Sequence, residues 1–163
     1  MPILHIVLLE PEIPQNTGNI ARTCAALGAH LHLIKPLGFS LADRYMKRAG
    51  LDYWEALSLH VYEDMADFGS KNPHACLYYF SKKARHGYTD VAYPPEVYFM
   101  FGKESVGLPE TLLKQHEPAC LRLPMKEGLR SLNLSNAVAI AAYEFMRQQG
   151  FAGLQGEGEY NEK

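Results

Sequence analysis

Three stretches of this sequence gather the side-chain types that can hold an anionic or flat polar ligand. The first, PEIPQNTGNIARTC, clusters the turn and capping residues Asn16, Thr17, Gly18 and Asn19 and places Arg22 one turn beyond Asn19. A helix opening there would offer free backbone N–H groups to an anion. Ile20, Cys24 and Leu27 form its apolar stripe, so Arg22 and Asn19 share the opposite side. The second, FMFGKESVGLP, runs a hydrophobic strand into Gly102 and sets Glu104 in a glycine-spaced loop. Glycine lets a flat ligand lie against the backbone, and open parallel sheets bind ligands beyond the carboxyl ends of their strands. The third, LRLPMKEGLRSLNLSNAVAIAAYE, packs Ser131, Asn133, Ser135 and Asn136 at the mouth of an apolar helix. A helix cap uses one or two such groups, and the remainder need other partners wherever they are buried. Taken singly, each stretch also reads as ordinary structure: a capped helix with a solvated arginine, a strand–helix connector, an N-cap.

The elements that must position these residues alternate between strand and helix, the pattern of a parallel sheet covered on both faces. The apolar run over residues 3–9 is a strand buried on both sides. Further strands are expected over 31–34, 57–62, 75–81, 97–101 and 120–123. Helices are expected over 19–27, 43–49, 64–70, 109–115 and 133–149, with Gly28 and Gly150 as stops. Residues 1–152 read as one domain and 153–163 as a frayed tail. The last helix is apolar around nearly its whole circumference, so it needs cover on two sides. The sheet supplies one and a second copy of the chain the other, which predicts a homodimer.

Composition narrows the class. With 47% hydrophobic and 21% charged residues, the 163-residue chain is globular rather than disordered. No apolar window is long enough for a transmembrane helix, and the N-terminus reads as a first strand rather than a signal peptide. Cys24, Cys76 and Cys120 form no CxxC pair and sit in apolar stretches, so reduced, buried thiols in the cytoplasm are expected. The net charge of −2 argues mildly against nucleic acid. Basic residues nevertheless cluster locally, as Arg44, Lys47 and Arg48, as Lys82, Lys83, Arg85 and His86, and as Lys126 and Arg130. Such clusters can meet phosphates without a basic total. There is no GxGxxG, no Walker loop and no GxSxG elbow. His30 and His32 share a strand face without a third ligand, so no metal site is expected.

Together, NTGNIARTCAALGA, FGKESVGLP and LPMKEGLRSLNLSNAVAIAAYE resemble, in order and spacing, the three motifs of the SpoU branch of the SPOUT superfamily of RNA methyltransferases. The stretch KRAGLDYWE and the start LLEPEIPQNTGNIART resemble its minimal members, which act on the ribose of a tRNA wobble nucleotide. The resemblance implies an α/β parallel-sheet sandwich with a deep C-terminal trefoil knot, an exception to normal chain topology. It implies a homodimer that uses S-adenosylmethionine and methylates the 2′-oxygen of nucleotide 34, cytidine or modified uridine, in the anticodon stem-loop of leucine tRNAs. By position, cofactor contacts fall on Phe80, Gly102, Leu123, Met125, Ser131 and Leu132. Catalytic and substrate-side residues fall on Asn16, Arg22, Glu104, Ser131 and Asn133. RNA contacts are expected at Arg44, Lys47, Arg48, Lys82, Lys83 and Arg85. The family's proposed proton acceptor is Arg22, but arginine keeps its proton in proteins. Holding a phosphate and stabilising alkoxide charge is the role that physics supports. Another tRNA or rRNA site, a non-catalytic RNA-binding protein, and a flavodoxin-like FMN protein with its own TGN loop are the alternative readings.

Overall fold

In a computed structural model the chain is described over residues 1–42 and 54–161. The helix expected over 43–49, and with it Arg44, Lys47 and Arg48, lies outside the described residues. Strand β1 (Ile3–Leu9) pairs in parallel with β2 (His30–Ile34) on one side and β6 (Glu96–Phe101) on the other. Beyond β2 lies β3 (Ser58–Tyr62), and beyond β6 lie β4 (Leu77–Phe80), β7 (Cys120–Arg122) and β5 (His86–Gly87). The described sheet therefore runs β3-β2-β1-β6-β4-β7-β5, parallel at every junction. The two-residue β5 is too short to leave a periodic signal in the sequence.

The pleat of β1 divides the core. Leu4, Ile6 and Leu8 pack with Ile20, Cys24 and Leu27 of α1 (Pro14–Leu27) and with Val138, Ala142 and Phe145 of α4 (Leu134–Gln148). Val7 and Leu9 pack with Phe68 of α2 (Met65–Lys71) and Leu113 of α3 (Glu110–Gln115) on the other face. Both faces of a parallel strand are thus covered by helices.

Helix α1 begins at Pro14, five residues before the expected start. Proline fits a first helical position, because its fixed φ suits the helix and its missing N–H would have been unpaired anyway. Asn16, Thr17 and Gly18 are therefore buried helical residues, and no side chain of the helix's own N-cap, Ile13, closes its start. At the other end of the fold, α4 buries Val138, Ala141, Phe145 and Met146 but leaves Ile140 40% and Tyr143 50% exposed. Gln148 anchors its last turn, donating to the Val91 carbonyl at 2.9 Å and accepting from the Tyr93 N–H at 3.0 Å. Residues 155–161 form no helix or strand.

The cysteines divide. Cys24 and Cys120 are buried, whereas Cys76 is exposed, because it lies just ahead of β4 rather than within it. Burial pushes the Cys24 thiol up to about 12, which rules out a nucleophilic thiolate there.

A row of polar rings crosses the α2 face at the start of β1, β2 and β3. The expected apolar run of β1 is interrupted by His5, which is buried and stacks at 4.7 Å on His30; His32 stacks at 4.6 Å on His60. The hydrogen bonds fix a direction. His5 Nε2 donates to the Glu96 carboxylate at 2.9 Å, so a neutral His5 must accept at Nδ1 from His32 Nε2 at 2.8 Å. His32 Nδ1 then accepts from the Tyr62 hydroxyl at 2.7 Å, and Asn72 Nδ2 donates to that hydroxyl at 3.1 Å. An extra proton on His32 would face a donor with a donor. Burial first, and then the neighbouring His5, His60 and His30, lower its pKa from the usual 6.5 to about 3. Burial also lowers that of His5, partly offset by its bond to Glu96. Among the described residues, no group of three histidine, cysteine or acidic side chains is placed to hold a metal ion.

Because His32 is neutral when folded and takes up a proton below pH 6.5 when unfolded, stability should fall as pH drops from 6.5 toward 3. The expected loss is on the order of 1–2 kcal/mol by pH 5. Thermal denaturation between pH 7.5 and pH 5 measures it, and His32→Phe should flatten the slope.

Candidate active site

The carboxyl ends of three neighbouring strands build the floor. Phe80 ends β4, Phe101 ends β6, and Leu123 follows β7 directly. After Phe101 the chain folds back sharply, with the Gly107 N–H donating to the Lys103 carbonyl at 2.8 Å. Only glycine fits at 102, since a Cβ there would fall 2.1 Å from the carbonyl carbon of Gly107 and 2.2 Å from the nitrogen of Leu108.

One carboxylate ties this loop to α1. Glu104 accepts from the backbone N–H of Glu12 at 2.8 Å, from that of Ile13 at 3.2 Å and from Asn16 Nδ2 at 3.4 Å. A negative group thereby sits at the N-terminus of a helix that has no side-chain cap of its own. With its amide nitrogen turned to Glu104, Asn16 presents its oxygen to Asn133 Nδ2, which donates at 3.1 Å across 117 residues. Asn133 Oδ1 in turn caps α4, accepting from the Ser135 N–H at 2.9 Å and the Ser135 hydroxyl at 2.5 Å. The three stretches singled out in the sequence therefore meet in one relay: Glu104, Asn16, Asn133.

The relay borders a cavity of about 720 Å³. All six expected cofactor contacts, Phe80, Gly102, Leu123, Met125, Ser131 and Leu132, line it. So do Asn16, Glu104, Ser131 and Asn133, together with Lys82 and Lys83. Arg22 is not in the wall: it lies on the exposed face of α1 beyond Asn16. Arg85 points its guanidinium at Glu117 at 3.0 Å, and Lys83 lies 3.9 Å from Glu110. The expected crowd of buried polar groups at the mouth of α4 is instead open: Ser131 and Asn133 are exposed, and Asn133 and Ser135 satisfy the cap between them. Sequence reasoning missed Ile13, Leu108, Leu134 and Ala137, which line the cavity from three segments. Each is a common apolar residue with no local mark of its role.

Residues 3–143 match the SpoU rRNA Methylase family. The chain belongs to that family. A Listeria monocytogenes serotype 4b protein with the provisional name tRNA (cytidine(34)-2′-O)-methyltransferase is 52% identical, over 98% of this chain and 96% of its own. A solved structure described as giving insight into 2-OH methylation of C/U34 on tRNA is 45% identical, with a TM-score of 0.87 over 92% of this chain and 98% of that one. The SpoU methyltransferase AviRb from Streptomyces viridochromogenes, solved with AdoMet, shares the fold at a TM-score of 0.78 and 22% identity, over 93% of this chain and 62% of its own. Membership in the SpoU family leaves the TGN run no flavodoxin-like role. It agrees with a parallel α/β sheet whose ligand edge carries the three motifs. No helix of the described residues is long and apolar enough to cross a membrane.

Gly102→Ala tests the folded-back loop. Overpacking against residues 107 and 108 should cost about 1–3 kcal/mol, measured by thermal denaturation.

Proposed function

We propose that this SpoU-family chain methylates the 2′-oxygen of nucleotide 34, cytidine or modified uridine, in tRNA, using S-adenosylmethionine. The observation that carries the reading is the relay of Glu104, Asn16 and Asn133 at the mouth of the cavity, where an activated group and a sugar hydroxyl would meet. The names of the 52% and 45% identical proteins support the target nucleotide. The resemblance to minimal wobble-ribose enzymes adds leucine tRNAs as substrates and their anticodon stem-loop as the part bound.

The cavity suits the cofactor. Phe80, Leu108 and Leu123 offer apolar surface to a flat base, and Ser131, Asn133 and the backbone near Gly102 offer polar groups to a charged tail. S-adenosylmethionine, when bound, supplies a methyl group already activated as a sulfonium, so no metal is required. The protein's task is alignment and charge control. Asn16, Ser131 and Asn133 orient the ribose and the amino-acid end of the cofactor. Glu104 holds Asn16 in the orientation that leaves its oxygen toward Asn133. Arg22, on the outer face of α1, would hold the adjoining phosphate and stabilise negative charge on the ribose oxygen, whose proton passes to solvent water as the oxygen–methyl bond forms and the methyl–sulfonium bond breaks. Lys82 and Lys83, at the cavity, and Arg85 beside them meet the RNA backbone; Arg44, Lys47 and Arg48, outside the described residues, are assigned to RNA contact by their charge alone.

Two further assignments belong to this reading. The C-terminal segment threads a loop as a deep trefoil knot; support comes from β7 pairing between β4 and β5 before α4 returns across the sheet to α1. The chain works as a cytoplasmic homodimer; support comes from Ile140 and Tyr143, large apolar side chains exposed on α4.

Nucleoside mass spectrometry of tRNA from a deletion strain should lose the 2′-O-methylated nucleoside at position 34 and regain it on complementation. Loss of a different nucleoside, in tRNA or rRNA, would move the target. Arg22→Ala should complement poorly, its transfer rate down roughly a hundredfold with S-adenosylhomocysteine binding retained. A fully active variant rejects its role. Sedimentation at micromolar concentration should give a dimer, and Tyr143→Asp should shift it toward monomer.

A further inference from the structure

Glu12 lies outside the cavity wall, yet its carboxylate makes two bonds into the loop that forms one side of it. Glu12 Oε1 accepts from the Ser105 N–H at 2.9 Å and from the Ser105 hydroxyl at 2.6 Å. These bonds, the hydroxyl's first, hold the Glu12 carboxyl below the usual carboxylate range. The traffic is reciprocal. The backbone N–H of Glu12 donates to Glu104, the residue just before Ser105. Two successive loop residues and Glu12 therefore close a ring of hydrogen bonds between the start of α1 and the loop of residues 102–108.

Glu12 itself has little freedom. The Gly38 N–H donates to the carbonyl of Pro11 at 2.9 Å, and a Cβ at Gly38 would fall 2.6 Å from the Glu12 carbonyl oxygen. The backbone beneath Glu12 is thus braced from a third segment. Lys103, on the other side of Glu104, lies 3.7 Å from Glu10 and adds a weaker tie in the same direction.

We propose that Glu12 is a positioning residue for methyl transfer: by fixing Ser105 it sets the loop that presents Glu104 to Asn16 and closes the cavity beside Gly102. This rests on the methyltransferase reading of the cavity. Glu12 touches no reacting atom. Its effect passes through Ser105 to Glu104, and from there through Asn16 to Asn133. Loosening it should therefore appear as a wider, less ordered cofactor wall, and so mainly in KM for S-adenosylmethionine rather than in kcat.

The test compares the wild-type chain with Glu12→Ala, Glu12→Gln, Ser105→Ala and the Glu12→Ala/Ser105→Ala double variant. Two readouts are taken: backbone amide exchange of residues 103–107, which needs no ligand, and steady-state methyl transfer to tRNA. In Glu12→Ala the Ser105 amide should exchange about fivefold faster, and kcat/KM should fall about fivefold through a raised KM for S-adenosylmethionine. Glu12→Gln keeps an oxygen for Ser105 and should recover most of both. Ser105→Ala loses only the hydroxyl bond, should show a smaller change, and should add nothing to Glu12→Ala. Unchanged Ser105 exchange in Glu12→Ala overturns the proposal. So does a double variant whose loss is the product of the singles, or a loss confined to kcat. A wild-type chain that transfers no methyl to tRNA would sink the reading of the cavity, while the exchange data still decide whether Glu12 holds the loop.

Discussion

The candidate site depends on a carboxylate that has to be shared. Glu104 accepts from two backbone N–H groups ahead of α1 and from the side chain of Asn16, and these donors lie 88 to 92 residues away in sequence. Without that acceptor, the start of α1 would carry free N–H groups beside the cavity, and the Asn16 amide would have no reason to choose one orientation. With it, the amide is set, Asn133 is engaged and the N-terminus of α4 is fixed against that of α1. The geometry of the site is thus an outcome of hydrogen-bond accounting at two helix starts.

The sheet supplies the conditions for that accounting. Because β1 is buried on both faces, its carboxyl end can move little, and only four residues separate it from α1. The turn at Gly102 brings the next loop back within reach of those four residues. A longer or looser connection at either place would leave Glu104 without its donors.

Much of this was legible in the residues. Alternating apolar segments gave the parallel sheet, and the glycine-spaced stretch after Phe101 marked the loop that lines the cavity. That Asn16, Glu104, Ser131 and Asn133 belong to one site was implied by the resemblance of the three stretches to SpoU motifs, because each stretch by itself also reads as ordinary structure. What the sequence concealed was of two kinds. Pro14, which reads as a loop residue, is a helix start, so Asn16 is freed from capping to serve the relay. The apolar lining of Ile13, of Leu108, and of Leu134 with Ala137 comes from three segments, and nothing in any one of them signals a shared cavity. Glu12 was hidden for a related reason: a lone acid in a loop has no pattern until its partner 93 residues away is placed. His5 and His60 were also invisible as a group, because stacking across strands depends on register, and register is a property of the assembled sheet.

The row of rings at the opposite edge of the sheet has a sense of direction. Every donor from Asn72 through Tyr62, His32 and His5 points the same way, ending on Glu96. Which nitrogen of the buried His32 carries hydrogen is therefore dictated from the two ends of the row. Its tautomer is inherited from an acid on β6 and an amide beyond α2, neither of which touches it. Two strands that are not neighbours, β3 and β6, are in this way held to one protonation pattern through the strands between them.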